Sequence, residues 1–207
     1  MTLKKILPAG ALCLTLLLLP SLGNAAGKVA VLPFLSRGSE GGERLVPSLE
    51  GRSFFRSGEL PPYAPSLLTR LLWRKLREAD VDLLPLSASE EVVRGGALRK
   101  DPLGAALAMG RKMGAWGVVV GAVYRFQERE GSSVGVIKPA SVAFEALLIR
   151  IADGRVIWRV RADETQRSLS ENLLQAGTFF RKGIRWLKAE ELASLLIEKE
   201  MEAFPLR

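Results

Sequence analysis

The sequence predicts an α/β fold with a mixed sheet of about five strands, a parallel βαβαβ unit plus an antiparallel hairpin, with flanking helices. Strand-like apolar runs alternate with helical periodicity over residues 28–124, which is typical of parallel strands joined by right-handed crossovers. Two alternating segments then flank Asp153-Gly154, a strong hairpin signal. Amphipathic helical patterns complete the chain.

The first strand is predicted over Lys28–Phe34, where near-continuous apolar character indicates a strand covered on both faces. Residues 36–62 follow as a polar, glycine-rich stretch, and a structureless loop of that length tends to be functional or mobile. In its middle, Phe54 and Phe55 are candidates for exposed aromatic contacts with a partner. The alternative is that both rings pack onto the core.

A leucine-rich helix is predicted next, from Pro65 or Ser66 to about Ala79. Proline suits the first helical turn, and the leucines recur at helical spacing. Either a solvated surface or contact with envelope phosphate groups would explain a basic stripe on the remaining face of this helix. The stripe consists of Arg70, Arg74 and Arg77.

A second strand is predicted over Asp80–Leu86 and a third over Gly114–Tyr124, which is apolar throughout and therefore central. Between them, Asp101-Pro102 provides a cap and first turn for a helix that ends near Met113. Gly114 is interpreted as the residue that ends this helix, and the glycines within the third strand as positions of close packing.

The antiparallel hairpin is predicted from alternation in Ser141–Ile151 and Arg155–Ala162, joined by a two-residue turn at Asp153-Gly154. Residues 129–133 are predicted to form a turn with Gly131 at its tip. Two further helices are predicted over residues 168–180 and 189–203.

Composition argues against an enzyme. The chain has no histidine and a single cysteine, Cys13, so the usual catalytic triads and zinc sites are not expected. It also has no phosphate-binding glycine motif. We therefore predict no catalytic residue, no metal site and no cofactor.

The net charge of +8 comes from 30 basic and 22 acidic residues. Such a surface would favour anionic envelope surfaces or an acidic partner, so peripheral membrane association is compatible with it. The basic residues are scattered along the chain without forming a cluster, and we therefore predict no nucleic-acid partner.

Residues 1–25 have the pattern of a cleavable signal peptide: two lysines, an apolar run over Ile6–Leu19, and small residues at Gly23-Asn24-Ala25. The run is shorter than the roughly 20 residues that span a bilayer, which disfavours the alternative of an uncleaved anchor. Lipidation at Cys13 is discounted because Leu12 precedes it. We predict a periplasmic or envelope protein with an α/β domain over 26–165 and a helical extension over 166–207 packed on it.

The most distinctive polar segment spans residues 163–172, at the corner between the last strand and the following helix. Capping of that helix by Ser168 or Ser170 would explain it structurally. Acid–base catalysis by its carboxylates would need a second acidic cluster, and the sequence shows none. The candidate partner-binding residues here are Asp163, Glu164, Gln166, Glu171 and Asn172.

Three segments together resemble one family. The strand Val29-Ala30-Val31-Leu32-Pro33-Phe34, the leucine-rich helix from Leu67, and the segment Met109–Val123 are similar to the TolB amino-terminal domain group. That group includes penicillin-binding-protein activators of the LpoB type and the periplasmic part of CsgG-type curli secretion proteins. The resemblance covers roughly residues 28–160, and Trp116 replaces the acidic residue usual after the Gly-Ala pair.

The resemblance implies a non-enzymatic envelope domain that acts by binding another protein, as an accessory or assembly factor of envelope biogenesis or secretion. Two alternatives stay open. One is a subunit of a homo-oligomeric, CsgG-like secretion or surface-assembly complex. The other is an envelope-polymer hydrolase that uses carboxylates.

Overall fold

The computed structural model describes residues 27–39, 42–92, 97–166 and 185–205. The strands are β1 (Val29–Val31), β2 (Leu35–Ser36), β3 (Arg44–Pro47), β4 (Phe54–Ser57), β5 (Gly117–Gln127), β6 (Glu130–Gly131), β7 (Val136–Lys138), β8 (Ser141–Arg150) and β9 (Val156–Thr165). The helices are α1 (Ala64–Glu78), α2 (Leu86–Val92), α3 (Ala97–Lys100), α4 (Pro102–Lys112) and α5 (Ala189–Met201).

The main sheet has five strands, in the order β1-β5-β8-β9, with β2 also paired to β5. Val29 of β1 is opposite Gly117 and Leu35 of β2 is opposite Ala122, both in parallel register. These two short strands therefore run along one side of β5 as a single interrupted strand. β8 is antiparallel to β5, and β9 is antiparallel to β8. The predicted α/β fold with a mixed sheet is confirmed.

The second predicted strand, Asp80–Leu86, is reduced to a single parallel bridge between Leu83 and Val29. The N–H of Val29 donates to the carbonyl of Asp82 at 2.8 Å, and Leu84 donates back to Val29 at 2.9 Å. In this parallel pairing the next donor toward β1 would be the N–H of Leu86, but α2 begins at that residue. The parallel order at this edge of the sheet is as expected, but the strand itself is absent.

β5 is the central strand, and its alternate side chains serve two separate cores. Val119 and Val123 face α1 and α5, whereas Val118 and Val120 face the opposite side of the sheet. Gly121 is required for close packing, because a Cβ atom there would lie 2.5 Å from the ring of Phe34. This confirms the predicted role of glycine in the central strand.

The two sides of the sheet are covered by different kinds of structure. On one side, here called the α1 face, α1 and α5 pack on the sheet, and the ring of Trp158 meets that of Phe204 edge to face at 4.8 Å between centroids. On the other, here called the hairpin face, the sheet is covered by α3, α4 and a hairpin formed by β3 and β4.

That hairpin corrects one expectation, since residues 36–62 are not structureless. Val46 and Phe55 are opposite each other in antiparallel β3 and β4. Each strand is only four residues long, which leaves little periodicity for a sequence pattern to show. The predicted turn near Gly131 lies within a second small hairpin, formed by β6 and β7.

The β8–β9 connection is longer than the predicted two-residue turn, because residues 151–155 lie between the strands. Gly154 has φ of +71°, so its left-handed backbone does fit the glycine of the motif. The Asp153 carboxylate accepts hydrogen bonds from the guanidinium of Arg150 and from the N–H of Arg155 at 3.2 Å. These contacts stabilise the wider loop.

The boundaries of α4 agree with the capping residues in the sequence. Asp101 accepts a hydrogen bond from the N–H of Gly104 at 3.0 Å, and Gly114 follows the helix with φ of +64°. The predicted signal peptide over 1–25 and the predicted helix over 168–180 lie outside the described residues. Within the described ranges, no helix has both the length and the apolar character needed to cross a membrane.

Candidate functional site

The outer surface of the β3–β4 hairpin is unusually apolar. Leu45 is opposite Arg56, and Pro47 is opposite Phe54, so these four side chains share the face directed away from the sheet. Leu45 is 68% exposed and Phe54 is 59% exposed. Large apolar side chains grouped on the surface mark interaction sites more often than isolated ones do. We call this surface, defined by Leu45, Pro47 and Phe54, the hairpin outer face.

The structure separates the two predicted contact phenylalanines. Successive side chains of a strand point to opposite faces, so Phe54 is at the surface whereas Phe55 is fully buried. The ring of Phe55 stacks on that of Tyr124, with centroids 4.2 Å apart and an interplanar angle of 9°. Phe55 therefore anchors the hairpin to the sheet, and Phe54 is the aromatic side chain that a partner can reach.

Arg161 of β9 attaches the β3–β4 hairpin to the main sheet. Its guanidinium donates to the Ser53 hydroxyl at 2.6 Å and to the carbonyl of Phe54 at 2.8 Å. The same group lies 4.0 Å from the ring centroid of Phe55, within the range of a cation–π interaction. The hairpin is thus bound to β9 by contacts to its backbone and to its buried ring.

A buried carboxylate, Glu145 of β8, provides a second attachment. It is 5% exposed, and its Oε1 atom accepts hydrogen bonds from the N–H of Leu49 at 2.6 Å and from the hydroxyl of Tyr124. Burial raises the pKa of the Glu145 carboxyl, and burial together with the Glu145 charge raises the pKa of Tyr124. Tyr124 therefore stays protonated and acts as the donor.

Sequence reasoning did not select Glu145 as a site residue. The available signal was one acidic residue within the apolar run Ser141–Ile149, and such a residue needs a partner when it is buried. Its two donors, Leu49 and Tyr124, are distant in sequence and could not be identified from the strand pattern alone.

Arg125 brings together the two segments that the sequence nominated for partner contact. A register shift in β5 lies between Val123 and Arg125. The guanidinium of Arg125 donates to the carbonyl of Arg56 in β4, to Asp163 in β9 and to the Ser141 hydroxyl, each at 2.7 Å. Residues 36–62 and the corner at 163 therefore meet at this side chain.

The other nominated residues have different environments. Glu164 is exposed at the end of β9, opposite Val142. Gln166 is buried: its side chain accepts from the N–H of Leu187 at 2.7 Å and donates to the carbonyl of Arg185 at 3.1 Å. Its amide is thus used within the chain. Glu171 and Asn172 lie outside the described residues.

Next to the hairpin outer face is a polar cavity of about 670 Å³. Its lining includes Glu43 and Gly58, which directly flank the β3–β4 hairpin, and Lys138 of β7, which forms ion pairs with Glu59 and Glu130, each at 3.5 Å. The β6–β7 hairpin also presents Val134, which is 87% exposed, and Ile137, which is 86% exposed. The cavity is lined by Ser36, Gly38, Ser39, Gly42, Glu43, Gly58, Glu59, Leu60, Pro61, Arg125, Gln127 and Lys138.

This arrangement is suited to binding. The pKa of Glu145 is raised in the direction that a general acid would need, but its carboxylate is covered by the hairpin and engaged by two donors. In the part of the chain that the structure describes, no group of three or more Cys, Asp or Glu side chains could hold a metal ion. Exposed apolar side chains are accessible on both small hairpins, and the β3–β4 hairpin is held in place by Arg161, Arg125 and Glu145.

No family model matches the chain, and no curated protein matches it. Several solved structures are similar to it. A PelC dodecamer from Paraburkholderia phytofirmans is 20% identical, with a TM-score of 0.48, over 88% of this chain and 89% of that one.

Lipoprotein GNA1162 from Neisseria meningitidis is 15% identical, with a TM-score of 0.42, over 72% of this chain and 94% of that one. The LpoB C-terminal domain from Salmonella enterica is 14% identical, with a TM-score of 0.40, over 68% of this chain and 84% of that one.

Proposed function

We propose that this protein is a non-enzymatic accessory factor of the cell envelope that acts by binding another protein through the hairpin outer face. The observation that carries the proposal is the exposure of Leu45 and Phe54 on a hairpin that is firmly attached to the sheet. The pattern of residues 1–25 supports an envelope location.

The rigidity of the hairpin matters because ordering a flexible segment on binding costs free energy. Here Arg161, Arg125 and Glu145 hold the hairpin backbone in place before any partner arrives. An exposed aromatic ring on a fixed support is the type of residue that dominates protein interfaces. Arg56 is on the same face, and among the described residues its one ion pair is a solvent-exposed contact with Glu43 at 3.7 Å, so its guanidinium is available to a partner carboxylate.

The proposal is tested by site-specific photocrosslinking in cells that express the full chain. p-Benzoylphenylalanine replaces Phe54 in one variant and Leu45 in another. The control places it at Arg99, an exposed residue of α3. We expect Phe54 and Leu45 to give an adduct with the same second protein, identified by mass spectrometry, and Arg99 to give none.

Two glutamate substitutions test whether the adduct requires the apolar side chains of the hairpin outer face. Phe54→Glu and Leu45→Glu should leave the free energy of unfolding within about 0.5 kcal/mol, because both side chains are exposed. Both should abolish the adduct formed from the other position. Adducts that contain only this chain would instead favour the homo-oligomeric alternative, and the absence of any adduct would contradict the proposal.

A further inference from the structure

A second surface lies on the α1 face, on the opposite side of the sheet from the hairpin outer face. It is a groove of about 640 Å³ along α1, bordered by α2 and by the first turn of α5. Apolar side chains from α1 and α2 form its floor, and arginines from α1 form its rim. We call it the α1 groove; its principal residues are Leu67, Leu71, Leu86, Trp73, Arg70 and Arg77.

The positive charge of the rim is only partly neutralised. Glu78 is 3.1 Å from Lys75 and 3.9 Å from Arg74, so Lys75 is its closer partner. Among the described residues, Arg70 forms no ion pair, and the contact of Arg77 is with the ring of Trp73. The one other acidic residue in the lining is Glu190. The Trp73 end of the α1 groove is therefore cationic.

The indole of Trp73 is held in position at the cationic end of the α1 groove by two contacts. Its Nε1 atom donates to the carbonyl of Leu84 at 3.3 Å, and the guanidinium of Arg77 lies 5.4 Å from its ring centroid. Arg70 and Arg77 are two helical turns apart on α1, about 10 Å along the axis. Guanidinium groups pair well with phosphate oxygens, and a half-buried indole suits the boundary between apolar and wet regions.

The α1 groove has few free backbone groups with which a bound molecule could form hydrogen bonds. α1 is a regular helix whose interior N–H and C=O groups bond to each other, and guanidinium groups are donors only. An extended peptide lying there would leave most of its own N–H groups without acceptors. A phospholipid brings anionic oxygens and apolar surface and has no such unpaired backbone groups.

We propose that the α1 groove binds the phosphate head group of an anionic phospholipid and places the arginine-lined side of α1 against a bilayer. Arg70 and Arg77 contact the phosphate, and the leucines with Trp73 receive the apolar part of the lipid. The contact is peripheral and electrostatic, so it weakens as salt concentration rises. It is independent of the partner bound by the hairpin outer face.

Flotation of the full chain with vesicles tests this proposal. One set of vesicles contains phosphatidylglycerol and phosphatidylcholine, and the other contains phosphatidylcholine alone. The readout is the ratio of binding to the two sets, and it is compared between variants that all keep residues 1–25, so that any contribution from Lys4, Lys5 and the apolar run is the same in each. We expect Arg70→Gln combined with Arg77→Gln to lower binding to the anionic vesicles by at least about tenfold.

The matched control combines Arg99→Gln with Lys112→Gln, which removes the same charge from exposed positions on the hairpin face. It should retain the preference for anionic vesicles, and an equal loss in this control would mean that net charge alone drives binding. A wild-type chain without that preference would overturn the proposal. The proposal would also be overturned if a soluble helical peptide of glutamate and leucine bound through Arg70 and Arg77 while anionic vesicles did not bind. The α1 groove would then be a site for a protein segment.

Discussion

At the scale of single residues, Glu145 shows how the hairpin depends on the sheet. It is a carboxylate in an apolar strand, and two donors converge on one of its oxygens. Burial opposes its ionised form and raises its pKa above the ordinary value of 4.5. The folded protein therefore binds a proton at this site more readily than the unfolded chain does.

This linkage has a definite sign. Because the folded pKa is raised, the contribution of Glu145 to stability is complete below pH 4.5 and is lost as pH rises through the folded pKa. Glu145→Gln keeps an acceptor oxygen but does not titrate. We expect its free energy of unfolding, measured with urea, to improve relative to wild type as pH rises from 4.5 to neutrality. A difference that does not vary with pH would contradict this assignment.

The alanine variant separates charge from hydrogen bonding. Glu145→Ala leaves the N–H of Leu49 and the hydroxyl of Tyr124 without their acceptor. Each orphaned donor costs about 1–3 kcal/mol, so Glu145→Ala should be much less stable than Glu145→Gln at every pH. Similar stability of the two variants would show that the acceptor is dispensable.

Gly121 tests the packing of the central strand. A Cβ atom at this position would lie 2.5 Å from the ring of Phe34, which is 5% exposed and has little space to move. We expect Gly121→Ala to lower the free energy of unfolding by about 1–3 kcal/mol. Gly135→Ala is the control, because the nearest atom to its added Cβ is 3.8 Å away, and its effect should stay within about 0.5 kcal/mol.

At the scale of elements, Arg125 joins three strands at one end of the sheet. Arg125→Met removes its hydrogen bonds to the carbonyl of Arg56, to Asp163 and to Ser141. Hydrogen bonds to charged groups contribute about 1.5–3 kcal/mol each, and we expect a loss of at least about 2 kcal/mol in urea denaturation. Amide exchange in β4 should also accelerate. Arg52→Met, at an exposed position of the hairpin turn, should do neither.

Sequence analysis predicted well those helices and strands whose formation depends on residues close together in the sequence. β5 begins with an apolar run over residues 117–124, and α4 is bounded by an aspartate cap and a glycine with left-handed backbone. The strand expected over Asp80–Leu86 was wrong because α2 begins at Leu86 and the ladder ends after one bridge.

The β3–β4 hairpin could not be predicted, because its stability depends on distant residues. Arg161 and Glu145 are each about a hundred positions from the backbone groups that they contact. The sequence did nominate residues 36–62 and the corner beginning at Asp163, but the contact between these segments depends on Arg125, which bonds to Arg56 and Asp163. Which of the two phenylalanines is exposed follows from strand register, which the sequence did not specify.

At the scale of the whole molecule, the sheet separates the two proposed binding surfaces. The hairpin outer face is on one side, and the α1 groove is on the other. A protein bound on one side and a bilayer on the other would not compete for space. The chain would then hold its partner at a fixed distance from the membrane, set by the thickness of the helix and sheet layers.

Gln166 joins the described residues on either side of the segment 167–184. The side chain of Gln166 bonds to the backbone of Arg185 and Leu187, so the two ends of this segment are held together by Gln166. We expect Gln166→Ala to lower the melting temperature of the chain, because the N–H of Leu187 and the carbonyl of Arg185 lose their partner. An unchanged melting temperature would contradict this assignment.

The pairing of β1 with β5 has a consequence for the order in which the chain acquires structure. Val29 is made early in synthesis, whereas Gly117, its partner, is made after helices α1 to α4. β5, β8 and β9 form a nearly continuous meander and need only short loops to close. We therefore expect the meander to form first and the amino-terminal strand to dock last. Until then an apolar, unpaired strand is exposed to other chains and to chaperones.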